Sequence, residues 1–67
     1  MQTLEEKHAF HCDKFMELSY EFIFQRERFE ARQGNISYIA DRITDLRAQM
    51  KHHSEEATRL FHLITKP

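Results

Sequence analysis

Five histidines, at positions 8, 11, 52, 53 and 62, and a single cysteine at position 12 are the side chains in this 67-residue sequence best suited to chemistry. His8 and Cys12 stand four residues apart, one above the other on a helix face, and nitrogen with sulfur is a donor set that zinc accepts. If the chain folds back on itself, His62 returns to the same end, so His8, Cys12 and His62 form a weak candidate metal set. No C-x-x-C or H-E-x-x-H accompanies them, and a lone His/Cys pair arises easily by chance. No metal and no cofactor is therefore expected. Catalysis needs a nucleophile, an adjacent base and a third group that orients the base. Cys12 has His8 and His11 within a turn, but it lies in an apolar stripe, where a lone cysteine behaves as a small hydrophobe. Two helices also offer no deep pocket. The expectation is a protein without enzymatic activity.

The elements that must carry these side chains can be read from spacing. One Gly and one Pro in the whole chain leave almost no turn chemistry, which implies long helices with few breaks. Thr3-Leu4-Glu5-Glu6 reads as a capping box, with two acids in the first turn to suit the helix dipole. "RQGN" supplies the break: Gly34 for a left-handed residue and Asn35 to cap the second helix. Helix 1 is expected over about 4–33, a turn over 33–35, and helix 2 over about 36–65. Ile36, Ile39, Ile43, Leu46, Met50, His53, Ala57, Leu60 and Ile64 alternate steps of three and four, a sustained heptad seam. Helix 1 answers with Leu4, His8, His11, Phe15, Leu18, Phe22, Gln25 and Phe29. Two helices of nearly equal length with a short connection make an antiparallel, coiled-coil-like hairpin. Its expected core is Phe15, Leu18, Phe22, Phe29, Ile39, Ile43, Leu46, Met50 and Leu60. Pairing around Gly34 sets Phe15 near His53 and Phe22 near Leu46. Ser54 followed by two acids offers an alternative cap near His52–Ser54, but the heptad phase passes through without a slip, so helix 2 is expected to continue.

Composition narrows the function classes. Ten basic residues against eleven acidic ones give a net charge of −1, without the Lys/Arg excess of basic nucleic-acid binders. No stretch approaches the roughly 20 apolar residues of a membrane span, and "MQTLEEKHAF" lacks the features of a signal peptide. One cysteine permits no intramolecular disulfide. A cytoplasmic protein is expected. Below about 70–80 residues, a single core without disulfide or metal needs another staple, and oligomerisation is one.

The stretch "FHCDKFMELSYEFIFQRERF" holds five of the six phenylalanines, more apolar surface than one seam uses. Cys12, Met16 and Ile23, together with Ala9, make a second stripe with Tyr20 beside it. Phe10 and Phe24 lie on yet another flank. Phe10, Cys12, Met16, Tyr20, Ile23 and Phe24 are the expected interface, since contiguous exposed apolar surface marks an interaction site. The expected occupant is a second copy, giving a homodimeric four-helix bundle, or another protein. Seam histidines His11 and His53 would set register at a cost in stability and make the assembly acid-sensitive.

In layout the chain resembles the Rop family of plasmid copy-number regulators, helical hairpins that dimerise into four-helix bundles and bind paired RNA loops. That resemblance implies a nucleic-acid-binding alternative, for which "FQRERF", Arg32, Arg42 and Arg47 are the candidates. Their interleaving with Glu21, Glu27, Glu30, Asp41 and Asp45 reads instead as a solvated mixed face, and nucleic acid is not the expected partner. The chain also resembles the small co-chaperones of type III secretion needle subunits, through Met1, Leu4 and Glu5 in an "M-x-x-L-E" opening and Gly34 in the mid-chain turn. That likeness implies a chaperone-like role. An adaptor, co-chaperone or inhibitor of a partner protein is the expected function. The acids of helix 1 argue against docking on anionic membranes.

Overall fold

The computed structural model describes residues 2–66. Helix α1 spans Leu4–Glu30 and helix α2 spans Ile36–Thr65, packed against each other as an antiparallel hairpin; no strand occurs among the described residues. Each helix begins as its sequence dictates. The Thr3 hydroxyl accepts from the Glu6 backbone N–H at 3.1 Å, and Glu6 accepts from the Thr3 N–H at 3.3 Å, which closes the capping box. Asn35 caps α2 by accepting from the Tyr38 N–H at 3.1 Å.

The end of α1 differs from expectation. The helix stops at Glu30 rather than Gln33, because the first left-handed residue is Arg32 (φ 54°) and not Gly34. The Gln33 N–H donates to the Arg28 carbonyl at 2.9 Å and the Arg32 N–H to the Phe29 carbonyl at 3.1 Å. This is the double bond pattern of a Schellman cap, with arginine where glycine is usual. Gly34 (φ 82°) makes a second left-handed step; a Cβ there would lie 2.6 Å from Nη2 of Arg28. A left-handed non-glycine residue costs roughly 1–2 kcal/mol, and glycine's greater freedom in the unfolded chain returns part of that. Arg32→Gly is therefore expected to stabilise the hairpin by up to about 1 kcal/mol, read as a rise in Tm of several degrees by circular dichroism. A fall in Tm would show that the Arg32 side chain contributes more than its backbone costs.

Moving the reversal from Gly34 to Arg32 shifts the pairing by about one helical turn. His53 meets His11 instead of Phe15, and Glu21 meets Arg42. Helix α2 runs unbroken through His52–Ser54, because the heptad seam continues through it, with His53 meeting His11 of α1, and interior N–H groups need no new cap.

The hairpin is slender. The Cα trace measures 50 × 17 × 14 Å with a radius of gyration of 15.1 Å, against roughly 11 Å for a compact domain of this length. Only Ile39, Leu46 and Leu60 are fully buried apolar residues among those described. Gln25 is the buried polar member of the seam, and its Oε1 accepts a long 3.5 Å contact from Arg28. Two helices cover one line of side chains and no more.

Candidate interaction surface

The two flanks of the seam differ. In an antiparallel heptad pair, the residues just before the outer seam positions face one another on one side, and those just after the inner seam positions face one another on the other. The first flank is charged and closed. Arg42 grips Glu21 through two parallel bonds, Nε to Oε2 at 2.6 Å and Nη2 to Oε1 at 2.8 Å, and holds Asp45 through Nη1 at 3.0 Å. The fork geometry suits a carboxylate, and the bond from Arg42 holds the Glu21 carboxyl below its ordinary pKa. On the outer side of this flank stand Phe10 and Phe24, each capped by a cation from one turn further on: Lys14 lies 5.8 Å from the Phe10 ring and Arg28 5.6 Å from the Phe24 ring.

The second flank is open. Two shallow grooves run along it between the helices. Near the turn, Phe22, Phe29, Ala40 and Ile43 line the first, with Arg26 and Arg47 at its edges. Toward the termini, Cys12, Phe15, Met16, Ser19, Ser54 and Ala57 line the second. The small residues Cys12, Ser19, Ala40 and Ser54 share their flanking position with Arg26 and Arg47, whereas on the other flank Lys14, Glu21, Arg28, Arg42 and Glu56 are all long and charged. As a result the outer seam residues stay uncovered on this side: Phe15 is 38% exposed and Phe29 41%. Leu18, Phe22, Ile43 and Met50 are half-buried.

The expected interface residues are therefore distributed around α1. Cys12 and Met16 line the open flank, and Ile23 (53% exposed) follows Met16 by one heptad on the same side. Phe10 and Phe24 belong to the closed flank, and Tyr20 points away from α2. The contribution of α2 to the grooves, through Ala40, Ser54 and Ala57, is the part missed from sequence; the signal was Cys12 and Ser19 one heptad apart on α1 and Ala40 and Ser54 two heptads apart on α2.

The chemical candidates are also placed. Cys12 Sγ lies 3.7 Å from Nε2 of His8, while His62 is exposed beside Phe61 and does not join them. No group of three or more His, Cys, Asp or Glu is placed to hold a metal among the described residues. His11 and His53 meet across the seam, Nδ1 to Nδ1 at 2.8 Å. Burial, and then the charges of His11, His52 and Lys14, push the His53 pKa below its ordinary value. Arg59 donates two bonds to Glu56 and lowers that carboxyl in turn. No described helix is long and apolar enough to cross a membrane.

Comparison with protein-family models, curated proteins and solved structures finds no match for this chain.

Proposed function

We propose that this chain is a small, non-enzymatic protein-interaction module whose open flank docks against a partner helix, in the first instance a second copy of itself, to give a four-helix bundle. The observation that carries this reading is the asymmetry of the seam. One flank is closed by the Glu21–Arg42 fork. The other leaves Phe15, Met16 and Phe29 half in water along two grooves, with Ile23 exposed on the same side of α1. Apolar stripes of this kind are the anchors by which helices seat in grooves.

Size supports the same reading. The hairpin exposes 5276 Å², whereas a compact monomer of 8.2 kDa exposes about 4,500 Å². The excess is close to the roughly 800 Å² that each partner buries in a standard interface. The thin core adds a thermodynamic reason, since a second layer supplies burial that one hairpin cannot. An adaptor, co-chaperone or inhibitor would use the same flank on a different protein, in exchange for the second copy.

The test is native mass in solution over a dilution series, by sedimentation equilibrium. A dimer that dissociates on dilution is expected. A chain that stays monomeric at high concentration would remove the homodimer and leave only a heterologous partner to fill the flank.

A further inference from the structure

The meeting of His11 and His53 belongs to neither the grooves nor the charged flank. It lies in the seam itself, in the half of the hairpin nearer the termini, where an apolar pair would pack without penalty. Each ring presents Nδ1 to the other at 2.8 Å, with centroids 5.0 Å apart. At that distance one Nδ1 carries a proton and donates it, and the other accepts through its lone pair. We propose that this pair is an acid-operated latch on the terminal half of the hairpin: it holds while the two facing nitrogens share one proton and opens when both are protonated.

The proton count decides the behaviour. With both rings neutral, one is the Nδ1–H tautomer and the other the Nε2–H tautomer, and the bond forms. One further proton, taken up at the free ring nitrogen of the donor, leaves the acceptor's lone pair intact and the bond becomes charge-assisted. A second further proton has only the accepting Nδ1 to go to. Two N–H groups and two positive charges then face each other across the seam.

The surroundings make that second step costly and give it little relief. From α1, Lys14 adds positive charge and Phe10 covers both rings edge-on, at 5.2 Å from His11 and 6.2 Å from His53. From α2, the His52 ring lies 5.1 Å from His53 and 6.1 Å from His11. The carboxylate that faces the layer is Glu56, already bound to Arg59 at 2.8 Å. Toward the turn, the hairpin is held independently by Ile39, Leu46 and the Glu21–Arg42 fork. Opening is thus expected to begin from the terminal end, where Leu60 lies beyond the histidine layer.

The direction of the pH effect comes from linkage. The folded-state pKa of His53 lies below its ordinary value of 6.5, so the unfolded chain takes up the proton first as pH falls. Stability is fully present above that value, and it is lost as pH drops through it toward the folded value. The ordinary carboxylate range lies lower, so Glu21 and Glu56 do not titrate in the same window.

The test compares thermal unfolding at pH 7.5 and pH 5.5, at one chain concentration, for wild type and for His11→Leu/His53→Leu. For the wild type a loss of up to about tenfold in the folding constant is expected, a fall in Tm of up to roughly 5–10 °C. The double variant retains His8, His52 and His62, and replacing both partners of a half-buried polar pair with apolar groups leaves nothing unsatisfied. It is expected to keep one Tm across the two pH values, at or above that of wild type. A flat wild-type profile would overturn the latch, as would a double variant that loses as much on acidification as wild type.

Discussion

Leu46→Asp is expected to abolish the fold. Among the described residues, Leu46 and Ile39 are the two large side chains with no exposed surface, and they stand two turns apart on the inner line of the seam. Removing Leu46 forfeits about 1.5–3 kcal/mol of burial. Placing a carboxylate there adds a desolvation penalty of several kcal/mol, and Arg42, one turn away, is already engaged by Glu21 and Asp45. A chain of 67 residues has a total stability of roughly 3–10 kcal/mol to set against this. Circular dichroism at 222 nm should lose its helical signal and its cooperative transition. Leu46→Met, which keeps the volume, should cost less than about 1.5 kcal/mol and melt cooperatively. A helical, cooperatively melting Leu46→Asp chain would mean that the seam is not the source of stability.

Ile23→Asp is expected to do the opposite: separate copies without unfolding them. Ile23 is 53% exposed on the hairpin, so the substitution removes little intrachain burial. In a two-fold assembly the same residue is lost from both partners. Full burial of an isoleucine is worth about 1.5–3 kcal/mol, and about half of that is available at each of the two contacts, so the combined loss weakens association roughly 10- to 100-fold. The sedimenting mass should fall to that of one chain while the helical signal is retained. An unchanged mass would exclude the Met16–Ile23 side of α1 as the contact and turn attention to the Phe10 and Phe24 flank. The pair of variants thus separates what holds the hairpin from what covers it.

Much of the architecture was legible in one dimension. Local signals are short-range and unambiguous here: Thr3 with Glu6 opens α1, Asn35 opens α2, and the steps of three and four along α2 place Ile39, Leu46 and Leu60 on its seam. The continuity of α2 past Ser54 was legible for the same reason, since a helix persists where its apolar period does. The pairing between helices was harder. It depends on which residue turns first, and glycine at 34 is the natural choice. Arginine takes the left-handed position instead, with the Arg28 and Phe29 carbonyls bonded by Gln33 and Arg32; a helix continued to Gln33 would satisfy the same two carbonyls, so local bonding does not fix the pivot. A pivot at Gly34 would have set Glu21 opposite Arg47. The actual pivot gives it Arg42 and closes that flank.

Periodicity, capping and composition are enough to specify two long helices with one seam, a thin core, and an α1 that carries more apolar surface than the seam consumes. Those signals act within a few residues of each other, so one dimension holds them. Folding in three dimensions was needed to place His11 against His53, to seal one flank with charged side chains, and to leave Phe15 and Phe29 half-bare beside small residues on the other. Each of those depends on register, and register is set by the sum of contacts between residues some 20 to 40 positions apart, as in the Glu21–Arg42 and His11–His53 pairs. A shift of one turn leaves every local preference satisfied and changes every partner across the seam.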